Sequence, residues 1–306
     1  MKKPSLFVIG APKCGTTALC AYLASHPAVC FSEPKEAKYF HSDFANEHRL
    51  CTTEDQYLKS FAHQQASDQI LAEGTVWYLF SQVAVKQILA FNPSAKFVVM
   101  LRNPVDLSYS LHGQLLYGGD EDVADFTRAW QLQEARAAGR DLPRYCRDPK
   151  SVQYSQVASL GEQVQRLLQS VPKERVLFLV FDDFIKDAGA SYRQVLEFAG
   201  LEDDGRQDFP KVNENRVLRP GLLPKVMFFA AAVKRRLGLR RSFGVWKKMQ
   251  PALSETKKRA PMDLALRTTL QNHFAADVAL LSQQVGRDLS HWCVPTLAPP
   301  TDNVVS

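Results

Sequence analysis

Along the chain, short unbroken apolar runs alternate with stretches in which apolar residues recur every three or four positions. Leu6-Phe7-Val8-Ile9, KFVVML at 96–101 and RVLFLVF at 175–181 are of the first kind. Their continuous apolar character is that of parallel strands covered on both faces. Residues 28–31 and 70–74 are shorter strand candidates. Helical spacing appears at 17–25, where Leu19, Tyr22 and Leu23 share a face, and at 84–91, which Asn92-Pro93 stops. It appears again after Pro104, carrying Leu107, Leu111 and Leu115, and at 126–138, 153–168, 190–199 and from Asp263 to about Val285. Residues 202–215 are polar and read as loop. Strand and helix in alternation predict an α/β fold, a three-layer sandwich around a central parallel sheet. Ligands of such folds bind at the carboxyl ends of the strands.

The composition changes little in this picture. Of 306 residues, 45% are hydrophobic and 23% charged, and 18 Phe with 9 Tyr are enough to fill a core, which excludes a disordered chain. The longest wholly apolar stretch, 226–233, is cut by Lys234-Arg235-Arg236 and is too short to span a bilayer. The apolar run after Met1-Lys2-Lys3 is also too short for a signal peptide. Six cysteines without paired spacing then read as reduced thiols, and the expected location is cytoplasmic. No linker or repeat divides the chain, so a single domain over 1–306 is expected.

Charge is the uneven property. The net charge is +6, yet ten Lys or Arg and no acid lie between Glu214 and Glu255. Within this segment, 222–249 interleaves Val226, Phe228, Phe229, Val233 and Trp246 with cations. Such a stretch is either a packed helix with a solvated basic face or a peripheral membrane contact.

The chemistry begins at Gly10-Ala11-Pro12-Lys13-Cys14-Gly15-Thr16-Thr17, a loop between a strand and a helix. Successive backbone N–H groups and the helix dipole converge there, and an anion is the natural occupant. The nucleoside-triphosphate loop places lysine directly after its second glycine, whereas here Thr16 holds that place and the lysine is inside the loop. A second candidate anchor is Arg102-Asn103-Pro104 at a strand end, with Ser108 and Ser110 on the helix that follows. By spacing alone it is equally an ordinary capping turn. A third segment, SEPKEAKYF at 32–40, mixes acids and lysines and by itself is most simply a solvated loop.

FVIGAPKCGTTALCAYLASHP at 7–27 resembles the 5′-phosphosulfate loop of sulfotransferases that use 3′-phosphoadenosine 5′-phosphosulfate (PAPS), in particular the bacterial and heparan-sulfate-type branch. The resemblance implies a P-loop-like fold in which Lys13, Cys14, Gly15, Thr16 and Thr17 bind the 5′-phosphate, Lys13 also meeting the bridging oxygen. LRNPVDLSYS at 101–110 is similar to the family's 3′-phosphate motif and implies that role for Arg102 and Ser110. Matching Tyr39-Phe40 to the aromatic pair that follows the family's acceptor base gives that role to Glu36. Ala37-Lys38 departs from the proline and histidine often found there and adds a cation. EGTVWYL at 73–79 resembles the segment bordering donor and acceptor, where Trp77 and Tyr78 either wall the acceptor or belong to the core. The stretch from Asp277 through Arg287 to Trp292 looks like the family's closing helix and tail. No Lys-Gly-Arg-type nucleotide loop is evident at 205–225, where Asn213, Arg216 and Arg219 stand without an assigned role.

The resemblance implies direct sulfuryl transfer, without a metal, to a hydroxyl or amine of a carbohydrate, lipid or other small acceptor, leaving adenosine 3′,5′-bisphosphate. Glu36 is then the base and Lys13 the cation on the leaving oxygen. Two rival readings remain. A P-loop kinase would use the strand ending in Asp182-Asp183 to hold Mg²⁺. A membrane- or polyanion-binding protein would use the basic segment on a degenerate nucleotide fold.

Overall fold

The computed structural model of the chain describes residues 2–210, 216–218, 226, 228–230, 254–256 and 259–294. Five parallel strands form the central sheet: β1 (Leu6–Gly10), β2 (Val29–Phe31), β3 (Ile70–Glu73), β4 (Lys96–Leu101) and β5 (Val176–Val180), in the order β2-β3-β1-β4-β5. Leu6, Phe7, Val8 and Ile9 are fully buried, as are residues 97–101, which is why neither strand shows a polar alternation. The chain leaves β1 toward β2 on one side and returns through β3 to reach β4 on the other. Right-handed crossovers running in opposite directions place their helices on opposite faces. They open a crevice at the carboxyl ends of β1 and β4, where the strand order reverses.

One face carries α1 (Thr16–Ala24), against which α10 (Ala188–Ala199) packs. The β3-to-β4 crossover supplies α3 (Ala84–Phe91), and the long β4-to-β5 connection supplies α4 (Pro104–Gly118), α5 (Phe126–Gln131), α6 (Gln133–Ala137), α7 (Tyr154–Ala158) and α8 (Leu160–Leu168). A short α2 (Glu54–Leu58) precedes β3, and α9 (Phe181–Lys186) follows β5 directly. The closing helix, α11 (Leu264–Val285), begins where the sequence predicts and is capped by the Asp263 side chain, which accepts from Leu266 N.

Three expectations need correction. The segment 126–138 is two short helices meeting at Leu132, and 153–168 is two helices separated at Ser159. The second half has no local cap. Asp277 of α11 supplies one instead, its carboxylate accepting from Gly161 N at 2.9 Å and Glu162 N at 3.0 Å. A Cβ at Gly161 would collide with the Asp277 carbonyl oxygen, so the glycine is what lets α8 and α11 approach. The third correction is at β5, which stops at Val180. Phe181 begins α9, and Asp182 and Asp183 occupy its first turn, where carboxylates favour a helix N-terminus.

Residues 216–218 and 254–256 form an antiparallel pair, β6 and β7. The basic segment at 222–249 lies outside the described residues except for Val226 and 228–230, as do Asn213 and Arg219. Among the described residues no helix is long and apolar enough to cross a membrane.

The long connection is fastened by a wholly buried ion pair. Arg136 donates to both carboxylate oxygens of Glu121, at 2.6 and 2.9 Å, and Tyr154 donates to the same carboxylate at 2.6 Å. Breaking such a pair strands a charge in the core. Arg136→Met is expected to lower stability by about 3–5 kcal/mol, read as a lower denaturant midpoint at unchanged slope. Pairing it with Glu121→Leu is expected to recover part of the loss.

Candidate functional site

Read across the carboxyl edge of the sheet, the segments singled out in the sequence follow one another strand by strand. The Glu36 loop leaves β2, Glu73 ends β3, the Lys13 loop leaves β1, Arg102 follows β4, and Phe181 follows β5.

The β1 loop is anchored to β4 by Ala11 N donating to the Met100 carbonyl at 2.8 Å. Lys13 then takes a left-handed φ of 66°, an uncommon state for a side-chain-bearing residue. Gly15 takes φ 85° as the residue before α1, and a Cβ there would press on the Phe184 ring at 3.1 Å. This fold-back leads the chain into α1, whose first turn is Thr16, buried, and Thr17, partly exposed. The Cys14 thiol is not available to a ligand. It is fully buried, donates to the Pro12 carbonyl, and burial pushes its pKa up to about 12. Only the Cys14 backbone remains for the role expected of that residue.

Arg102 joins the two anchors. Its guanidinium donates to the Lys13 carbonyl at 2.7 Å and lies 4.5 Å from the centre of the Phe181 ring. Asn103 caps α4 by accepting from Val105 N, and its amide also reaches the Trp292 carbonyl. Ser110, two turns on, is buried, and its carbonyl lies 3.5 Å from Arg259. Ser108 is spent inside α4, donating to the Pro104 carbonyl. His112 is a core histidine bonded to the Val123 carbonyl, and burial lowers its pKa.

Arg259 is the residue the sequence reading missed. It stacks on Tyr109 at 4.9 Å and stands close enough to Lys13 to depress its pKa. The Lys13 ammonium is lowered to about 8 by burial first, then by the like charges of Arg259 and Arg102. The basic run Lys257-Lys258-Arg259 just ahead of the closing helix was the available signal. It lies well past 205–225, where the family resemblance would place a nucleotide loop.

Glu36 stands among cations, 3.4 Å from Lys35 and 3.7 Å from Lys38. Burial opposes its ionisation, but the two ammonium groups outweigh it and hold the carboxyl below the usual range. Lys38 has a left-handed φ of 52°, and burial lowers its own pKa, partly offset by Glu36. Trp77 and Tyr78 are core residues. Trp77 packs among Phe44, His48 and Phe80, and Tyr78 is fully buried.

The acids expected to matter to a kinase are engaged by the tail. Asp182 accepts from the Trp292 indole N–H at 2.9 Å, and Asp183 forms an ion pair with Arg287. Among the described residues no group of His, Cys, Asp and Glu is arranged to hold a metal. All six cysteines are free thiols.

A family model described as "Sulfotransferase family" matches residues 4–205. The chain is 28% identical over 221 residues to the human bifunctional heparan sulfate N-deacetylase/N-sulfotransferase 2, covering 71% of this chain and 23% of that protein. It is 32% identical over 141 residues to the mouse bifunctional heparan sulfate N-deacetylase/N-sulfotransferase 3, covering 46% and 16%. It thus spans less than a quarter of the length of these curated relatives. A crystal structure of a sulfotransferase from Alicyclobacillus acidocaldarius superposes with a TM-score of 0.70 at 25% identity, covering 95% of this chain and 99% of that one. With the matched region spanning β1 through α10, the chain belongs to the sulfotransferase family.

Proposed function

We propose that this sulfotransferase moves the sulfuryl group of PAPS to an amine or hydroxyl of a carbohydrate acceptor. The observation that carries the donor reading is the convergence of Lys13, Arg102, Ser110 and Arg259 where β1 and β4 end. Three cations, buried serine and the first turn of α1 suit a ligand with two separate phosphate groups. The 5′-phosphosulfate belongs over the β1 loop, on the amides of 14–17 and the Lys13 ammonium. The 3′-phosphate belongs between Arg102, Ser110 and Arg259. The carbohydrate acceptor rests on the relatives, which are named for heparan sulfate.

Sulfuryl transfer needs in-line placement and charge stabilisation more than covalent help from the protein. The acceptor nitrogen or oxygen forms a bond to sulfur while the bond from sulfur to the bridging phosphate oxygen breaks. The acceptor proton passes to Glu36, and the charge gathering on the leaving oxygen is met by Lys13. The products are the sulfated acceptor and adenosine 3′,5′-bisphosphate. Glu36 suits the base role because Lys35 and Lys38 keep it ionised near neutrality. β2 is two strands from β1, roughly 10 Å at ordinary spacing. The backbone of 38–40 is tied to Thr75 and Tyr78 after β3, which draws the loop toward β1.

The test is transfer of ³⁵S from labelled PAPS to de-N-acetylated heparosan, beside the fully N-acetylated polymer. Label on the first alone is expected for an amine acceptor and label on both for a hydroxyl. Release of bisphosphate with no transfer to any carbohydrate would contradict the acceptor class. Glu36→Gln is expected to reduce turnover by about 10²–10⁴-fold while leaving bisphosphate affinity within about twofold; full turnover would remove Glu36 from the base role.

Lys13 acts as the ammonium form. Since its free-enzyme pKa is lowered to about 8, the cation is complete below that value and is lost as pH rises through it. Accordingly, kcat/KM for PAPS is expected to fall above about pH 8. Lys13→Arg, which stays charged, should move the fall to higher pH. An unchanged alkaline limb in that variant would assign it to another group.

A further inference from the structure

Beneath the Glu36 loop lies a second carboxylate that the scheme above does not use. Glu73, the last residue of β3, has no solvent exposure. It accepts from Tyr57 Oη at 3.2 Å and, more closely, from Thr75 Oγ1, and the buried Tyr78 hydroxyl stands close enough to help lower its pKa. Two of these hydroxyls are themselves acceptors. Thr75 Oγ1 takes the N–H of Lys38 at 3.2 Å, and Tyr78 Oη takes those of Tyr39 and Phe40 at 3.0 and 3.2 Å.

The Thr75 link therefore runs one way, from backbone amide to hydroxyl to carboxylate. Three consecutive amides, beginning two residues after Glu36, end on two hydroxyls beside one buried carboxyl. A hydroxyl has a single proton, so Thr75 can receive the Lys38 amide while giving its own hydrogen to Glu73. Ionised Glu73 accepts the Tyr57 and Thr75 hydrogens with charge assistance, and protonation removes that assistance, loosening the hold on the loop.

We propose that Glu73 is a positioning residue for the acceptor side of the reaction, its carboxylate holding the 38–40 backbone through Thr75 and Tyr78 and thereby fixing Glu36. The inference rests on the sulfotransferase reading of Glu36 as base. The groups facing Glu73 are Tyr57 from α2, Cys51 ahead of α2, Cys20 from α1, Lys35 and Glu36 from the loop, and Tyr78 after β3. Burial dominates them and pushes the Glu73 carboxyl up to about 7, although the three hydroxyls around it pull it down. Glu36, by contrast, is held below the usual carboxylate range. The two acids consequently separate on a pH axis. An acid limb of activity near neutrality belongs to Glu73, and one due to Glu36 falls well below it.

The experiment measures ³⁵S transfer to de-N-acetylated heparosan, and bisphosphate affinity by calorimetry, from pH 5.5 to 8 for wild type, Glu73→Gln, Thr75→Val and Tyr78→Phe. Wild-type kcat is expected to rise with pH through about 7. In Glu73→Gln that limb is expected to vanish, leaving kcat at least tenfold lower and flat with pH, with bisphosphate affinity kept within about twofold. Should Glu73→Gln fail to fold, Thr75→Val and Tyr78→Phe carry the test. Each is expected to lower kcat at every pH with unchanged bisphosphate affinity, and together to lose less than the product of their separate effects. A near-neutral acid limb surviving in Glu73→Gln, or full kcat in both hydroxyl variants, would overturn the proposal. Wild type that transfers no sulfuryl group and binds no bisphosphate would instead overturn the sulfotransferase reading on which it rests.

Discussion

Like charge gathered in one place is the constraint around which the crevice is built. Lys13 and Arg259 stand close enough to Arg102 for each to feel the others' charge, and burial makes the repulsion dearer than it would be in water. Carbonyl and aromatic groups help to hold these side chains in place. The Lys13 carbonyl receives Arg102, the Phe181 ring lies under the same guanidinium, and Tyr109 lies under Arg259. The fold supplies these supports from β1, α4, α9 and the stretch before α11, which is why four elements far apart in sequence must meet here. A ligand bearing two phosphate groups would relieve the mutual repulsion of Lys13, Arg102 and Arg259.

The tail explains how the carboxyl edge keeps its shape. Trp292 receives the Asn103 amide on its carbonyl and gives its indole N–H to Asp182, so one residue joins the starts of α4 and α9. Arg287 adds the ion pair to Asp183. The acids that resemble a metal-holding pair in sequence serve as struts for the closing segment.

What was legible in the sequence was local. The strand-loop-helix at 6–24 and the Arg102 motif depend on neighbours within a few residues, and their glycine, proline and cap residues spell out the turn. Glu36 was legible as a charged residue in the right segment, while its ion pairs with Lys35 and Lys38 could be guessed from adjacency. Arg259 was not, because it follows β7, which pairs with β6 some forty residues earlier in the chain. The break at Ser159 escaped for a similar reason, since the cap of α8 comes from Asp277 on α11. Trp77 and Tyr78 stood between core and acceptor wall because an aromatic residue looks the same in either place; burial assigns both to the core. The Glu73 relay is hidden for a subtler reason. Its logic is the direction of hydrogen bonds among side chains 57, 75 and 78 and the backbone of 38–40, which no spacing rule encodes.

The crevice is proposed to read a 3′-phosphate beside a 5′-phosphate group. Calorimetric titration of the wild-type protein with adenosine 3′,5′-bisphosphate, adenosine 5′-phosphate and ADP with Mg²⁺, each with and without EDTA, tests it most directly. Binding of the bisphosphate that is indifferent to EDTA and at least tenfold tighter than that of adenosine 5′-phosphate is expected, with ADP weaker still. Preference for ADP that depends on Mg²⁺ would contradict the account and favour a phosphoryl-transfer site.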